Sequence, residues 1–203
     1  MTIEARYDEI LDAAVGVLAR RGYHQAGSRE IAGAARLSLA GLYHYVGGKD
    51  ELVFLALARA LDDLLALLDK ALIGARTPEG KLLALIRTHL DFAFTRGAEM
   101  KVINRDYELL PEPHRSPLVA KRAEYLERGI AILAELDPHG RTREELFSAT
   151  LLLLGMLNGI ATRPFLRTAE GVATLAADVG ALFLYGFLER PATVSTLEAD
   201  DDV

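Results

Sequence analysis

A chain of 203 residues is long enough for one sizeable core or two small ones. It is 51% hydrophobic and 26% charged, with a formal net charge of −6, as an ordinary globular protein is and a disordered one is not. The absence of cysteine excludes disulfides, thiolate metal sites and cysteine nucleophiles. The opening residues are acidic and polar (Glu4, Asp8, Glu9) and do not resemble a secretion signal. The longest uncharged run, residues 146–162, is broken by Ser148, Thr150, Gly155, Asn158 and Gly159. It also falls short of the roughly 20 apolar residues a bilayer requires, so a cytoplasmic protein without a membrane span is expected.

Net acidity argues at first sight against a nucleic-acid partner. The charge is unevenly placed, however. Within residues 1–48, Arg6, Arg20, Arg21, Arg29 and Arg36 balance Glu4, Asp8, Glu9, Asp12 and Glu30, and the negative excess lies further on. A neutral segment can bind phosphates when its charges are sorted by face.

The texture is helical throughout, rich in Leu and Ala, with apolar residues at three- and four-residue spacing. Ile3, Tyr7, Ile10, Leu11, Ala14 and Leu18 form one stripe, and Gly22 stops it. Ser28 is placed to cap a short helix containing Ile31, Ala32 and Ala35, and Ser38 to cap another containing Leu42, Tyr43 and Val46. After Gly47-Gly48 a long Leu-rich helix is predicted from 49 to 73. Thr77-Pro78 opens the next, to about 95. A shorter segment, 98–110, ends at Pro111 and Pro113, and Ser116-Pro117 starts a helix to about 136. Asp137-Pro138-His139-Gly140 is a turn. Thr142 with Glu145 makes a capping box for a helix to about 163, and a last helix spans roughly 171–189. Nine helices and no strand are expected, with an acidic tail over 191–203 read as disordered.

The stretch from Gly22 to Leu52 carries the functional information. Two short capped helices separated by three or four residues have the spacing of a helix-turn-helix, whose second helix enters the DNA major groove. A groove about 12 Å wide admits one helix, with its first turn at the base edges. The second helix would expose Leu39, Ala40, Gly41, Tyr43 and His44 and turn Leu42 and Val46 inward.

Gly22-Tyr23, Ile31-Ala32, Leu42-Tyr43-His44-Tyr45-Val46 and Lys49-Asp50-Glu51-Leu52 together resemble the TetR family of bacterial repressors over residues 7–56. The resemblance implies an all-α, nine-helix architecture: a helix-turn-helix DNA-binding domain at 1–48, and a ligand-binding and dimerisation domain at 49–190. It implies phosphate contacts by Ser28, Arg29, Tyr43, His44, Tyr45 and Lys49, with Ser38 at the cap and Leu39, Ala40 and Gly41 near the bases. The chain departs from the family pattern in four places. Arg36 stands where glycine is usual and reads as an ordinary negative φ. Gly41 replaces a hydroxyl residue, Leu39 a polar one, and Val46 a phenylalanine. Lys49 sits at a helix start, where the macrodipole disfavours a cation, so a DNA phosphate is its expected partner.

The run Leu151-Leu152-Leu153-Leu154 is apolar all round its helix and must be covered on more than one side. Gly155, Gly159 and Ala161, with Ala176, Ala177, Gly180 and Ala181, would permit close helix approach. The family arrangement is a homodimer through helices 142–163 and 171–189. The alternative is a single larger monomeric core. For a small-molecule effector, the polar residues His89, Asn104, Tyr107, Tyr125 and Asn158 join Phe92, Met100, Ile103, Phe147, Leu151 and Leu154 as a candidate pocket. The segments 107–111 and 154–158, with Arg122 and Tyr125, are similar to family regulators of fatty-acid and steroid catabolism. That similarity implies an acyl-coenzyme A effector, its phosphates held by Arg122, Arg163 and Arg167. Other apolar ligands remain open.

No catalytic or metal motif competes. His24, His44, His89, His114 and His139 are scattered, no Gly-rich phosphate loop follows a strand, and Gly-x-Ser-x-Gly is absent. Neither an enzyme nor a resident cofactor is expected. A helical interaction module without DNA binding is the other class open at this point.

Overall fold

The computed structural model describes residues 3–161 and 169–189. Among them are nine α-helices and no strand: α1 (Ile3–Arg21), α2 (Ser28–Ala34), α3 (Leu39–Tyr43), α4 (Lys49–Ile73), α5 (Pro78–Thr95), α6 (Gly97–Asp106), α7 (Arg115–Leu136), α8 (Arg143–Ala161) and α9 (Ala169–Glu189). A 3-10 turn, Tyr107–Leu109, follows α6. The chain divides into two compact units, Met1–Lys70 with Thr88–Tyr125, and Ala71–Arg87 with Leu126–Val203. The helix-turn-helix therefore shares its unit with most of α4, all of α6 and the first half of α7.

Local chemistry sets most helix ends. Ser38 Oγ accepts from Gly41 N at 3.0 Å and Thr77 Oγ1 from Gly80 N at 3.0 Å. The Thr142–Glu145 box closes in both directions, Thr142 N to Glu145 Oε2 at 2.8 Å and Glu145 N to Thr142 Oγ1 at 3.3 Å. Two expected caps are corrected. Ser28 is the first helical residue of α2, and extended Gly27 holds the cap position without a side-chain bond. Ser116 lies inside α7, and Glu112 does the capping by accepting from both Ser116 N (3.2 Å) and Ser116 Oγ (2.8 Å). A carboxylate four residues back reaches the first turn better than a hydroxyl already within it.

Arg36 is also corrected: its φ is +55°, left-handed. Arg36 N donates to Gly33 O at 3.0 Å and Leu37 N to Ala32 O at 2.8 Å, the double bond pattern of a Schellman motif closing α2. The turn keeps the geometry that glycine would serve, at about 1 kcal/mol for the added Cβ. Arg6 holds the same turn from α1, donating to Ala35 O at 2.9 Å.

In the first unit Ile10, Leu11, Ala14, Val17 and Leu18 are buried along α1, meeting the 3.6-residue period of the sequence. Ile31, Ala32, Leu42 and Val46 are buried with them, as are Leu52, Val53, Ala56, Leu57 and Ala60 on α4. α3 ends at Tyr43, short of Val46, the residue expected within it. His44 stays α-conformational as its C-cap, and Tyr45 N and Val46 N both turn back to Leu42 O. Five residues with a central glycine do not hold a helix unaided. Leu42, 1% exposed, supplies the anchor.

In the second unit α7 and α8 cross at Gly129, where a Cβ would stand 2.6 Å from Thr150 Cγ2. Gly180 serves α9 in the same way against Leu83. Gly180 and fully buried Ala176 thus make close contacts within the chain, whereas Gly155, Gly159, Ala177 and Ala181 are exposed. The loop before α8 is fastened by Arg141, whose guanidinium pairs with Asp137 and donates to Phe187 O in the last turn of α9. α8 buries Leu146, Leu153 and Leu157 on one side and leaves Leu151, Leu152 and Met156 exposed. On α9, Leu182 and Tyr185 are 74% and 70% exposed. By length and composition alone the segment Glu170–Phe187 is long and apolar enough to cross a membrane, and 28% of it is buried within the chain.

Candidate nucleic-acid interface

The site is a short helix held between two fixed ends. Ser38 fixes the first by its cap on Gly41 N. Gly47-Gly48 forms the second, where Glu51 reaches back from α4 to accept from Gly47 N. A clamp lies beyond it. Lys49 Nζ donates to the Tyr23 carbonyl and sits 4.6 Å from the Tyr23 ring centroid, while Tyr23 Oη donates to Asp50 Oδ1 at 2.7 Å. Burial, followed by the bond and the charge of Asp50, pushes the Tyr23 phenol up to about 12. The Gly-Tyr after α1 and the Lys-Asp opening α4 are thus two halves of one lock.

Between these ends the residues expected at DNA stand as follows. Ala40, Tyr43 and His44 are exposed, Tyr43 to 46%; Leu39, Gly41 and Tyr45 are half-buried. His44 and Tyr45 meet edge to face, with centroids 5.7 Å apart. Ser38 and Arg29 are exposed and Ser28 half-buried. Leu42 and Val46 point inward as expected. Lys49 is half-buried on the Tyr23 carbonyl, so its conflict with the helix dipole is answered inside the chain. The roles of Arg6, Asp50 and Glu51 in holding this frame are not legible in the sequence, because each bond joins segments far apart or depends on a turn shape.

The expected effector residues are spread over both units. In the first, His89, Phe92, Met100, Ile103 and Tyr125 are buried, and Tyr125 Oη lies 3.2 Å from His89 Nδ1. Burial pushes the Tyr125 phenol far up. Arg122 lies over the Tyr107 ring at 4.2 Å and donates to Asn104 Oδ1 at 3.4 Å. In the second unit Phe147 and Leu151 are exposed, and Leu154 and Asn158 half-buried. Arg163 and Arg167 lie outside the described residues. An open cleft of about 410 Å³ is lined instead by Gly47, Gly48, Lys49, Asp50, Glu51 and His114, beside the start of α4. Among the described residues no group of histidines and acids could hold a metal ion.

Residues 10–56 match the model of bacterial regulatory proteins of the tetR family, and residues 75–162 the tetracyclin repressor-like C-terminal domain. The chain belongs to the TetR family. Its helices overlay a TetR-family transcriptional regulator from Bordetella parapertussis with a TM-score of 0.81 at 28% identity, covering 88% of this chain and 93% of that one. AibR, solved in complex with isovaleryl coenzyme A and operator DNA, gives 0.75 at 26% identity, covering 88% and 98%. Among curated proteins, the transcriptional regulator BetI of Brucella canis is 33% identical over 88 residues, 43% of this chain and 44% of BetI. The chain thus matches less than half the length of that relative. These relatives are regulators, not enzymes.

Proposed function

We propose that this TetR-family chain is a ligand-responsive transcriptional regulator that binds a palindromic operator as a homodimer and is released by a small effector. The observation that carries the reading is α3, a capped helix with its apolar anchor inside and Ala40, Tyr43 and His44 outside. Leu39, Ala40 and Gly41 approach the base edges, where apolar side chains favour thymine methyls over bidentate guanine contacts. Ser28, Arg29, Tyr43, His44 and Tyr45 supply phosphate contacts, which position the protein and carry most of its affinity. Lys49 acts chiefly by locking Tyr23 behind them.

The exposed apolar residues of α8 and α9 support the dimer, since Leu152, Met156, Leu182 and Tyr185 lack cover among the described residues. Two copies would present two α3 helices to half-sites about 34–36 Å apart or a multiple of that spacing. A second copy covering these residues would leave no need of a membrane as cover, in keeping with a cytoplasmic protein.

The effector is read as an acyl-coenzyme A or a comparable apolar ligand. The complex of AibR with isovaleryl coenzyme A supports this class. The buried His89–Tyr125 pair would meet a polar group on an apolar ligand, and Arg122 its phosphates. Ligand bound beside α4 would tilt that helix and change the spacing of the two α3 helices, by a coupling of about 1–3 kcal/mol. The test is fluorescence anisotropy on the promoter of the protein's own gene, across a salt series, with and without isovaleryl and longer acyl-coenzyme A. Specific, salt-sensitive binding weakened by an acyl-coenzyme A is expected. No binding at low salt would leave a helical interaction module, and unchanged affinity at saturating acyl-coenzyme A would remove this effector class.

A further inference from the structure

We propose that Arg36 holds a DNA backbone phosphate at the rim of the groove that α3 enters, an inference that rests on the DNA-binding reading above. Between Gly22 and Gly48 the charged residues are Arg29, Glu30 and Arg36 alone. Glu30 is engaged by Arg21 Nε at 3.3 Å, and α3 itself carries no charge. The surface offered to a polyanion therefore depends on two arginines. Arg36 is exposed, and its guanidinium makes no ion pair or hydrogen bond among the described residues. Arg6, Arg21, Arg59, Arg96 and Arg105 of the same unit each hold a carboxylate.

The backbone makes this arginine informative. At φ +55° a side chain is strained where glycine is at ease, so the fold alone would be better served by glycine. Strain held in place by surrounding bonds is a mark of functional positions, and here Arg6 pins the Ala35 carbonyl while Gly33 and Ala32 accept from Arg36 and Leu37. The root of the side chain is thereby fixed two residues ahead of the Ser38 cap. Residues of the first turn of α3 face the bases, and one placed before that turn lies at the groove edge, where phosphates are. A guanidinium there has the reach and the paired donors for one phosphate.

Stability and binding are expected to move in opposite directions, which separates a contact from a structural residue. In the full-length chain, Arg36→Gly should raise Tm by about 2–4 °C for a protein of this size. The same change should weaken binding to random-sequence duplex, and to the duplex the wild type selects from it, by about tenfold alike, and lower the salt slope by roughly 1. Arg36→Gln, which keeps the Cβ and removes the charge, should lose the same affinity without the gain in Tm, and Arg36→Lys should recover most of it. Wild-type affinity for both duplexes in Arg36→Gly and Arg36→Gln would overturn the proposal. A loss confined to one base-pair position would overturn the phosphate assignment. A wild type that binds neither duplex would overturn the DNA-binding reading and this inference with it.

Discussion

Arg105 reaches from the end of α6 to the C-terminal turn of α1, donating from Nη2 to the Leu18 carbonyl at 2.6 Å while gripping both oxygens of the Asp106 carboxylate. Asp106 is 1% exposed. Gly22, at φ +79°, lies beside it, and a Cβ there would stand in ordinary contact with the guanidinium at 3.7 Å. One side chain thus ties α6 to the end of the helix from which the helix-turn-helix hangs.

Arg105→Ala should cost about 1–3 kcal/mol, because it leaves a buried carboxylate without its cation and a carbonyl with one partner fewer. The partly exposed arginine keeps the figure below that of a fully buried pair. Adding Asp106→Asn should recover part of the loss in urea titrations. A double variant no better than the single would show that the stranded charge is not the cause.

Ser38→Ala should lower stability by about 1 kcal/mol, the usual worth of a cap. Gly41→Ala would ordinarily gain about that much in a helix. Here its Cβ would meet Ser38 Oγ at 3.3 Å and Leu37 Cδ2 at 3.5 Å, so the gain should be largely absorbed by displacing the cap. Thermal melts of both variants, and of the pair, would show it: Gly41→Ala should help more once Ser38 is alanine.

Leu152→Glu and Leu182→Glu place charges on the exposed faces of α8 and α9, at positions 65% and 74% exposed. Neither change disturbs the core of the single chain. Sedimentation velocity should show a dimer for the wild type and monomers for both variants, with far-ultraviolet dichroism unchanged. A size independent of both charges would place the subunit contact elsewhere.

Alkaline conditions should loosen the lock on α4. Tyr23 ionises near 10 when unfolded and near 12 in place. A raised folded value means that its stabilisation is complete below about pH 10 and fades as pH climbs toward the folded value. Tyr125, pushed up by burial, acts in the same direction. Denaturant midpoints should be flat through neutrality and fall above about pH 10, less steeply in Tyr23→Phe. An equal fall in that variant would assign the effect to other groups.

What the sequence reveals follows the reach of each interaction. Thr142 and Glu145 announce a helix start because both partners lie within one turn, and Thr77-Pro78 does the same. Ser28 and Ser116 mislead because a cap depends on which residue leaves the helical conformation, and Gly27 and Glu112 decide that. The handedness of Arg36 is set by Leu37 bonding back to Ala32 and by Arg6 from another helix, not by residue type. The Arg105–Leu18 bond joins positions 87 apart, beyond any periodicity. Phe147 and Leu151 looked suited to a pocket by apolarity alone, and only the rotation of α8 shows them facing outward.

The lock between Tyr23 and the Lys49-Asp50 pair makes the intervening residues a loop closed at its neck, with its ends joined 26 and 27 positions apart. Its two ends are held at one place, and its interior is anchored on the core by Ile31, Ala32, Ala35, Leu42 and Val46. The exposed residues of α3 can therefore be exchanged for those of another operator-reading sequence without re-engineering the helices behind, provided the buried residues of the segment and the Ser38 cap are kept. The fold treats its reading head as a replaceable part.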